Sequence, residues 1–180
     1  MITVKELTKA RNEAAKMLAE AGVVVSEKEI EAMDVADFGL SSLRTEGAQI
    51  LSLIETDKIA ARVIVLFPGQ TEPEHWHMGI GDYEGKQESL RIISGELYLY
   101  LAGENSMSLG KAPAGKEEYY SARNEIVMLP TDTITIPTGA KHWFQAGENG
   151  AVFYTISTLA TDSMDPFTDP NVVRETVVEG

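Results

Sequence analysis

The sequence predicts an antiparallel β-fold, a sandwich or barrel, preceded by helices. Two observations carry this expectation. Apolar residues recur at helical spacing in the first thirty or so positions and at a spacing of two from Ala48 onward. The stretches with period two are short, and Gly, Pro, Asn and Asp clusters separate them with no helical pattern between. Successive strands without intervening helices pair antiparallel, because a parallel neighbour needs a crossover long enough to hold one.

The helices announce their own starts. Thr3 with Glu6, and Ser26 with Glu29, each fit a capping box, in which a hydroxyl and a carboxylate satisfy free amides of a first helical turn. Leu7, Ala10, Ala14, Met17, Leu18 and Ala21 form one stripe, and Gly22 stands where that helix should stop. A second, short helix is expected over Glu27 to Met33, and both read as packing elements. Strands are expected at Ala48 to Glu55, Ile59 to Phe67, Ser89 to Leu101, Glu125 to Leu129, Thr133 to Ile136 and Ala151 to Ser157. In Gly95 to Leu101 the leucines share one face and Glu96, Tyr98 and Tyr100 the other, which suits a sheet with one side on a core. Residues 103–120 read as a loop or wandering hairpin. The tail after Ser157, with Asp162, Asp165, Asp169 and two prolines, reads as an extended wrap over the surface. No repeat or linker divides the chain, so one domain is expected, with residues 1–36 as a helical segment packed on a barrel formed by 37–180.

Composition narrows the function. A chain of 180 residues, 43% hydrophobic, is long and apolar enough to bury a real core. Fifteen basic against 28 acidic side chains give a net charge of −13, which argues against nucleic acid or an anionic membrane as a partner. The absence of cysteine excludes disulfides, thiolate catalysis and cysteine-type zinc sites. No apolar run approaches the roughly 18 residues of a membrane span, and MITVKELTKARNEAAKM carries charges throughout rather than an apolar leader core. An intracellular, cytoplasmic protein is the expectation.

The chain owns three histidines. His75 and His77 flank Trp76, so on a strand both imidazoles leave the same face, roughly 7 Å apart at the backbone, and can converge on one ion. His142 follows Pro137-Thr138-Gly139-Ala140-Lys141, just beyond a strand that ends in a turn. Glu88, which opens the strand to Leu101, is the carboxylate nearest the pair across a short loop. Three neutral imidazoles and one carboxylate suit a divalent first-row metal and leave positions for water or substrate oxygens. By itself a His-x-His pair is more often structural or exposed than a metal site.

The surrounding frame is more specific. Gly69 stands six residues before His75, Glu88 seven before Gly95, and Pro137-x-Gly139-x-x immediately before His142. The sequence thereby resembles the cupins, whose motifs are G(x)5HxH…E(x)6G and PxGxxH, and this implies an antiparallel jelly roll with a bound metal, usually paired as a homodimer. Three stretches resemble the small bacterial D-lyxose isomerases more closely still: Leu66-Phe67-Pro68-Gly69-Gln70-Thr71-x-x-Glu74-His75-x-His77, Glu84-Gly85-Lys86-Gln87-Glu88, and Lys141-His142-Trp143-Phe144-Gln145-Ala146-Gly147-Glu148. The similarity extends from about Asp37 to Pro170, including Phe167-Thr168-Asp169-Pro170. It implies a manganese-dependent aldose–ketose isomerase of free sugars, chiefly D-lyxose to D-xylulose and D-mannose to D-fructose. It also implies metal ligands at His75, His77, Glu88 and His142, and a substrate contact at Lys86.

The chemistry fits that resemblance. A metal with two open positions can chelate the carbonyl oxygen and adjacent hydroxyl of an open-chain sugar, which acidifies the carbon-bound proton and stabilises an enediolate. A neighbouring carboxylate can move the proton, and a lysine beside it can neutralise the oxyanion. Lys86, Glu88, Asp165 and Glu74 are the candidate catalytic residues. Trp76, Trp143 and Phe144, with Lys86, are candidate substrate contacts, since a sugar ring stacks well on aromatic faces. The chain departs from the ordinary cupin pattern in three places and from the D-lyxose isomerases in a fourth. Ten residues separate His77 from Glu88, Thr131 replaces the opening glycine of the second motif, and Ala146 replaces its closing asparagine. Thr155 stands where the family usually has a glutamate, and a hydroxyl is far too weak an acid or base to replace it. A sugar-binding accessory cupin without turnover and another cupin metalloenzyme such as an iron dioxygenase are the alternatives.

Overall fold

The computed structural model describes residues 1–79, 81–159 and 162–180. Ala160, Thr161 and the side chain of Asp162, part of the acidic tail, lie outside the described residues. In chain order the elements are β1 (Ile2–Thr3), α1 (Val4–Glu20), α2 (Glu27–Ala32), β2 (Asp34–Ala36), β3 (Ala48–Glu55), β4 (Ile59–Leu66), β5 (Thr71–His75), β6 (Glu88–Leu101), β7 (Asn124–Met128), β8 (Thr133–Ile136), β9 (His142–Thr158) and β10 (Val178–Glu179). Single 3-10 turns occupy Glu117–Tyr119 and Asp162–Met164.

Both capping boxes form. The hydroxyl of Thr3 accepts from the amide of Glu6 at 3.2 Å while the Glu6 carboxylate accepts from the amide of Thr3 at 2.8 Å, and Ser26 and Glu29 repeat the exchange at 3.3 and 2.7 Å. Ala10, Ala14 and Leu18 then bury the stripe of α1 against Val35, Leu51, Val63, Val65 and Phe67. The alternate residues Ile64 and Leu66 of β4 face the opposite way, into the central core. With both faces covered, β4 is a nearly continuous apolar run.

The fold is an antiparallel jelly roll of the cupin type. Two long strands bend across both layers. The first half of β9 pairs with β5 and with Leu97–Leu101 of β6, and its second half pairs with β4 and with Glu88–Gly95 of β6. One layer therefore runs β2-β3-β4-β9-β6-β8 and the other β5-β9-β6-β7. The turn between layers falls at irregularities in β6 between Ile92 and Leu97. Gly95 sits there at φ +77°, and a Cβ at that position would collide with the carbonyl of Gly150. This is the physical demand behind the second glycine of the first motif.

Leu97, Leu99, Ile92, Phe144 and Phe153 fill the space between the layers. Tyr98 and Tyr100, on the other face of β6, are buried too, in a separate cluster with Tyr120, Ala122 and Trp143. The one-sided burial expected for Gly95 to Leu101 is thus replaced by burial on both sides, because the 103–120 loop folds back over the outer face. Glu125 pins that loop by accepting from the amides of Ser108, Leu109 and Gly110 at 3.0–3.2 Å and from the Tyr100 hydroxyl at 2.8 Å. Among the described residues, no helix is long and apolar enough to cross a membrane.

Candidate metal centre and active-site cavity

The three histidines meet inside the jelly roll. His75 ends β5 opposite His142, which opens β9, and the two residues are register partners. His77 lies just past the end of β5, yet its ring packs against both others, with centroids 5.3 Å from His75 and 5.0 Å from His142. One ligand atom from each of the three lies within 4.8 Å of the others, so these buried residues can hold a metal ion.

Their orientation is fixed from behind. The Nδ1–H of His75 donates to the carbonyl of Pro73 at 2.9 Å, and that of His142 to the carbonyl of Ala140 at 2.8 Å. Because a carbonyl only accepts, the proton is on Nδ1 in both rings and the Nε2 lone pairs face inward. His77 Nδ1 meets the Asp165 carboxylate at 2.9 Å and its Nε2 meets Glu88 at 3.1 Å. Burial and the neighbouring His142 and His77 push His75 well below the usual imidazole range, and burial with His77 brings His142 down to about 4. Burial acts to lower His77 as well, but its hydrogen bonds to the Asp165 and Glu88 carboxylates outweigh it and raise the ring. Burial opposes the charge of Glu88, yet Lys86 and His77 hold its carboxyl well below the ordinary value. Two imidazoles are therefore kept neutral at neutral pH and one carboxylate ionised, the protonation states a divalent cation requires. The Nε2 of His142 is buried with no hydrogen-bond partner, and a metal ion is the partner that this inward lone pair fits.

A cavity of about 440 Å³, counted from wall to wall and partly open to solvent, adjoins the cluster. His75, Lys86, Glu88 and Asp165 line its polar side with Arg62, Glu72, Thr155 and Arg174, and Phe38, Ile50, Ile64, Phe144 and Phe167 its apolar side. Lys86, only 2% exposed, places its Nζ 3.5 Å from Glu88 and 3.8 Å from Asp165.

Close relatives share nearly the whole chain. It is 43% identical over 175 residues to the D-lyxose ketol-isomerase of Cohnella laeviribosi, covering 97% of this chain and 96% of that one. It is 41% identical over 177 residues to the D-lyxose/D-mannose isomerase of Thermosediminibacter oceani, covering 98% and 96%. The chain belongs to the D-lyxose ketol-isomerase family. Membership decides between the alternatives that the residues left open, in favour of an isomerase. No protein-family model matches the chain. The fold is shared with the L-ribose isomerase of Cellulomonas parahominis, at a TM-score of 0.82, 15% identity and 99% coverage of both chains. It is shared too with that of Acinetobacter sp. DL28, solved with L-ribose, at 0.81 and 14%, covering 99% and 98%.

Within this D-lyxose ketol-isomerase family member, the predicted site residues divide. His75, His77, Glu88, His142, Lys86, Asp165 and Phe144 come together around the cavity. Glu74, Trp76 and Trp143 are not among its lining residues. Glu74 is turned away to accept from the Ser121 hydroxyl, the Ala122 amide and the Thr168 hydroxyl at 2.6–2.7 Å. Trp143 stacks on Tyr100 at 3.7 Å and donates to the Ala122 carbonyl, and Trp76 lies under the Lys141 ammonium at 4.9 Å. Trp143 is thus part of the buried aromatic cluster behind β6, and Trp76 is half-exposed. Alternation explains the split on β9: His142 and Phe144 point inward, so Trp143 between them points out. Glu72, Arg62 and the tail residues Phe167 and Arg174 are cavity residues that sequence reasoning missed. The tail was expected to wrap the surface, but it supplies part of the wall instead.

Proposed function

We propose that this aldose–ketose isomerase interconverts D-lyxose with D-xylulose and D-mannose with D-fructose, using a manganese ion held by His75, His77, His142 and Glu88. The observation that carries the reading is the set of imidazoles tethered at Nδ1 with inward Nε2 atoms, set beside a carboxylate at the edge of a polar cavity. The relatives' names supply the sugars. When bound, the cation would polarise the carbonyl and the adjacent hydroxyl of the open-chain sugar. The chain's own residues do the rest. Asp165 orients the His77 ring, and the Lys86 ammonium neutralises charge that develops on the sugar oxygens. Phe144 and Phe167 exclude water from one side of the cavity.

A cytoplasmic homodimer belongs to the same proposal. Ile54, Ile59 and Ile156, which lie 48–56% exposed on adjoining β3, β4 and β9, give such a dimer an apolar contact surface. The test is to strip the protein with chelator, reload it with Mn2+, and follow D-lyxose and D-mannose by product analysis. About one ion bound per chain and turnover only in the reloaded sample are expected. Full turnover in the stripped protein would remove the metal from the proposal, and no turnover in either sample would remove the substrates.

A further inference from the structure

The isomerisation needs a group that takes a proton from one carbon and delivers it to the next. Thr155 faces the cavity and cannot do this. Among the described residues three carboxylates line the cavity, namely Glu72, Glu88 and Asp165. Glu88 is engaged by His77 Nε2 and Lys86 and belongs to the proposed ligand set. Asp165 accepts from His77 Nδ1, so a proton taken up there would loosen the ring it orients. Glu74 does not reach the cavity, since three donors hold its carboxylate on the other side of β5.

Glu72 remains, and the local backbone explains how it arrives. It stands three positions before His75, an odd spacing that puts two side chains on opposite faces of a regular strand. In β5, however, Glu72 pairs with Phe144 and His75 with His142, so a three-residue step on β5 matches a two-residue step on β9. The extra residue is a bulge, and Pro73, which cannot donate to the ladder, lies within it. Glu72 and His75 are thereby turned onto the same interior, one over Phe144 and the other over His142. Arg62, cross-strand from Thr155, adds positive charge to the same lining.

We propose that Glu72 is the acid/base of this enzyme, standing in for the carboxylate that Thr155 does not provide. This rests on the isomerase reading above. In the aldose-to-ketose direction the Glu72 carboxylate accepts the C2 proton, and the C2–H electron pair becomes the second bond of the C1–C2 enediolate. The carboxylic acid so formed returns that proton to C1. The proton of the C2 hydroxyl passes to the C1 oxygen, leaving a ketone at C2, so no oxidant or further reactant is needed.

The experiment compares Mn2+-loaded wild type, Glu72→Gln and the double variant Glu72→Gln/Thr155→Glu on D-lyxose in D2O, with bound manganese and thermal midpoint measured on each. In Glu72→Gln, kcat and deuterium uptake by sugar carbon are expected to fall together by about 10²–10⁴-fold. Manganese content and sugar-induced thermal stabilisation should stay at wild-type levels, and the second substitution should restore at least about tenfold of the lost rate. The proposal is overturned if Glu72→Gln keeps kcat within about threefold of wild type. It is equally overturned if activity disappears together with bound manganese, because Glu72 would then hold the site rather than move the proton. An inert wild type would instead overturn the isomerase reading beneath it, and the wild-type arm reports this separately.

Discussion

Asp165 shows how much one side chain in an irregular segment can control. It lies eighty-eight residues from His77 in sequence, yet its Oδ2 stands 2.9 Å from the ring nitrogen that faces away from the other histidines. Replacing it with asparagine leaves an amide of similar shape but removes the charge that supports the ring. Manganese affinity is expected to fall about 10–100-fold, measured by metal titration of the stripped protein. Thr131 is informative in a different way. It stands in place of the motif glycine and adopts φ +84°, where a β-branched residue is strained. Its amide still donates to the carbonyl of Ile92 at 3.0 Å, so the turn survives without the glycine. Thr131→Gly should relieve the strain and stabilise the protein by about 1 kcal/mol, net of the greater freedom of glycine when unfolded. A thermal midpoint higher by roughly 2–4 °C is the expected reading, and a lower midpoint would show the strain to be absorbed elsewhere.

At the scale of elements, β5 and the tail operate as one unit. The tail runs beside β5 through a bridge between His75 and Phe167, the Trp76 amide to the Pro166 carbonyl at 3.3 Å, and the Thr168 amide to the Glu74 carbonyl at 3.0 Å. The Glu74 side chain joins β5 to both the tail and the segment before β7. Glu74→Gln turns one acceptor oxygen into a donor facing other donors. A loss of about 1–3 kcal/mol is expected in denaturant unfolding, with kcat much less affected than in Glu72→Gln. Two neighbouring glutamates would then separate cleanly, one into stability and the other into chemistry. Alternation alone would put these two, two positions apart, on one face; the bulge between Glu72 and His75 separates them and brings Glu72 to the His75 side.

For the whole molecule, carboxyls that the fold holds below their ordinary values, among them Glu13, Asp37, Glu125 and Asp169, make low pH the vulnerable direction. Burial works to raise the Glu125 carboxyl, but the amide of Gly110 and the hydroxyls of Ser108 and Tyr100 outweigh it and hold it down to about 2. A carboxyl lowered in the folded state contributes fully above its unfolded value of 4.5 and loses that contribution as pH falls toward about 2. Thermal midpoints of wild type should drop across this window, and Glu125→Gln should flatten the drop while lowering stability at neutral pH. The sequence alone determined the class of fold, both helix caps, most strand positions, and the three histidines that gather into one cluster. These are short-range matters of period, cap chemistry and motif spacing, each written into a few neighbouring residues. Tertiary structure decided that β6 and β9 would each span both layers, that the outer face of β6 would be covered, and that the tail would reach the site. It also decided that Glu72 would join Glu88 and Asp165 at the cavity, since a one-residue bulge reverses the face of every side chain beyond it and alternation in the sequence carries no sign of where that reversal falls.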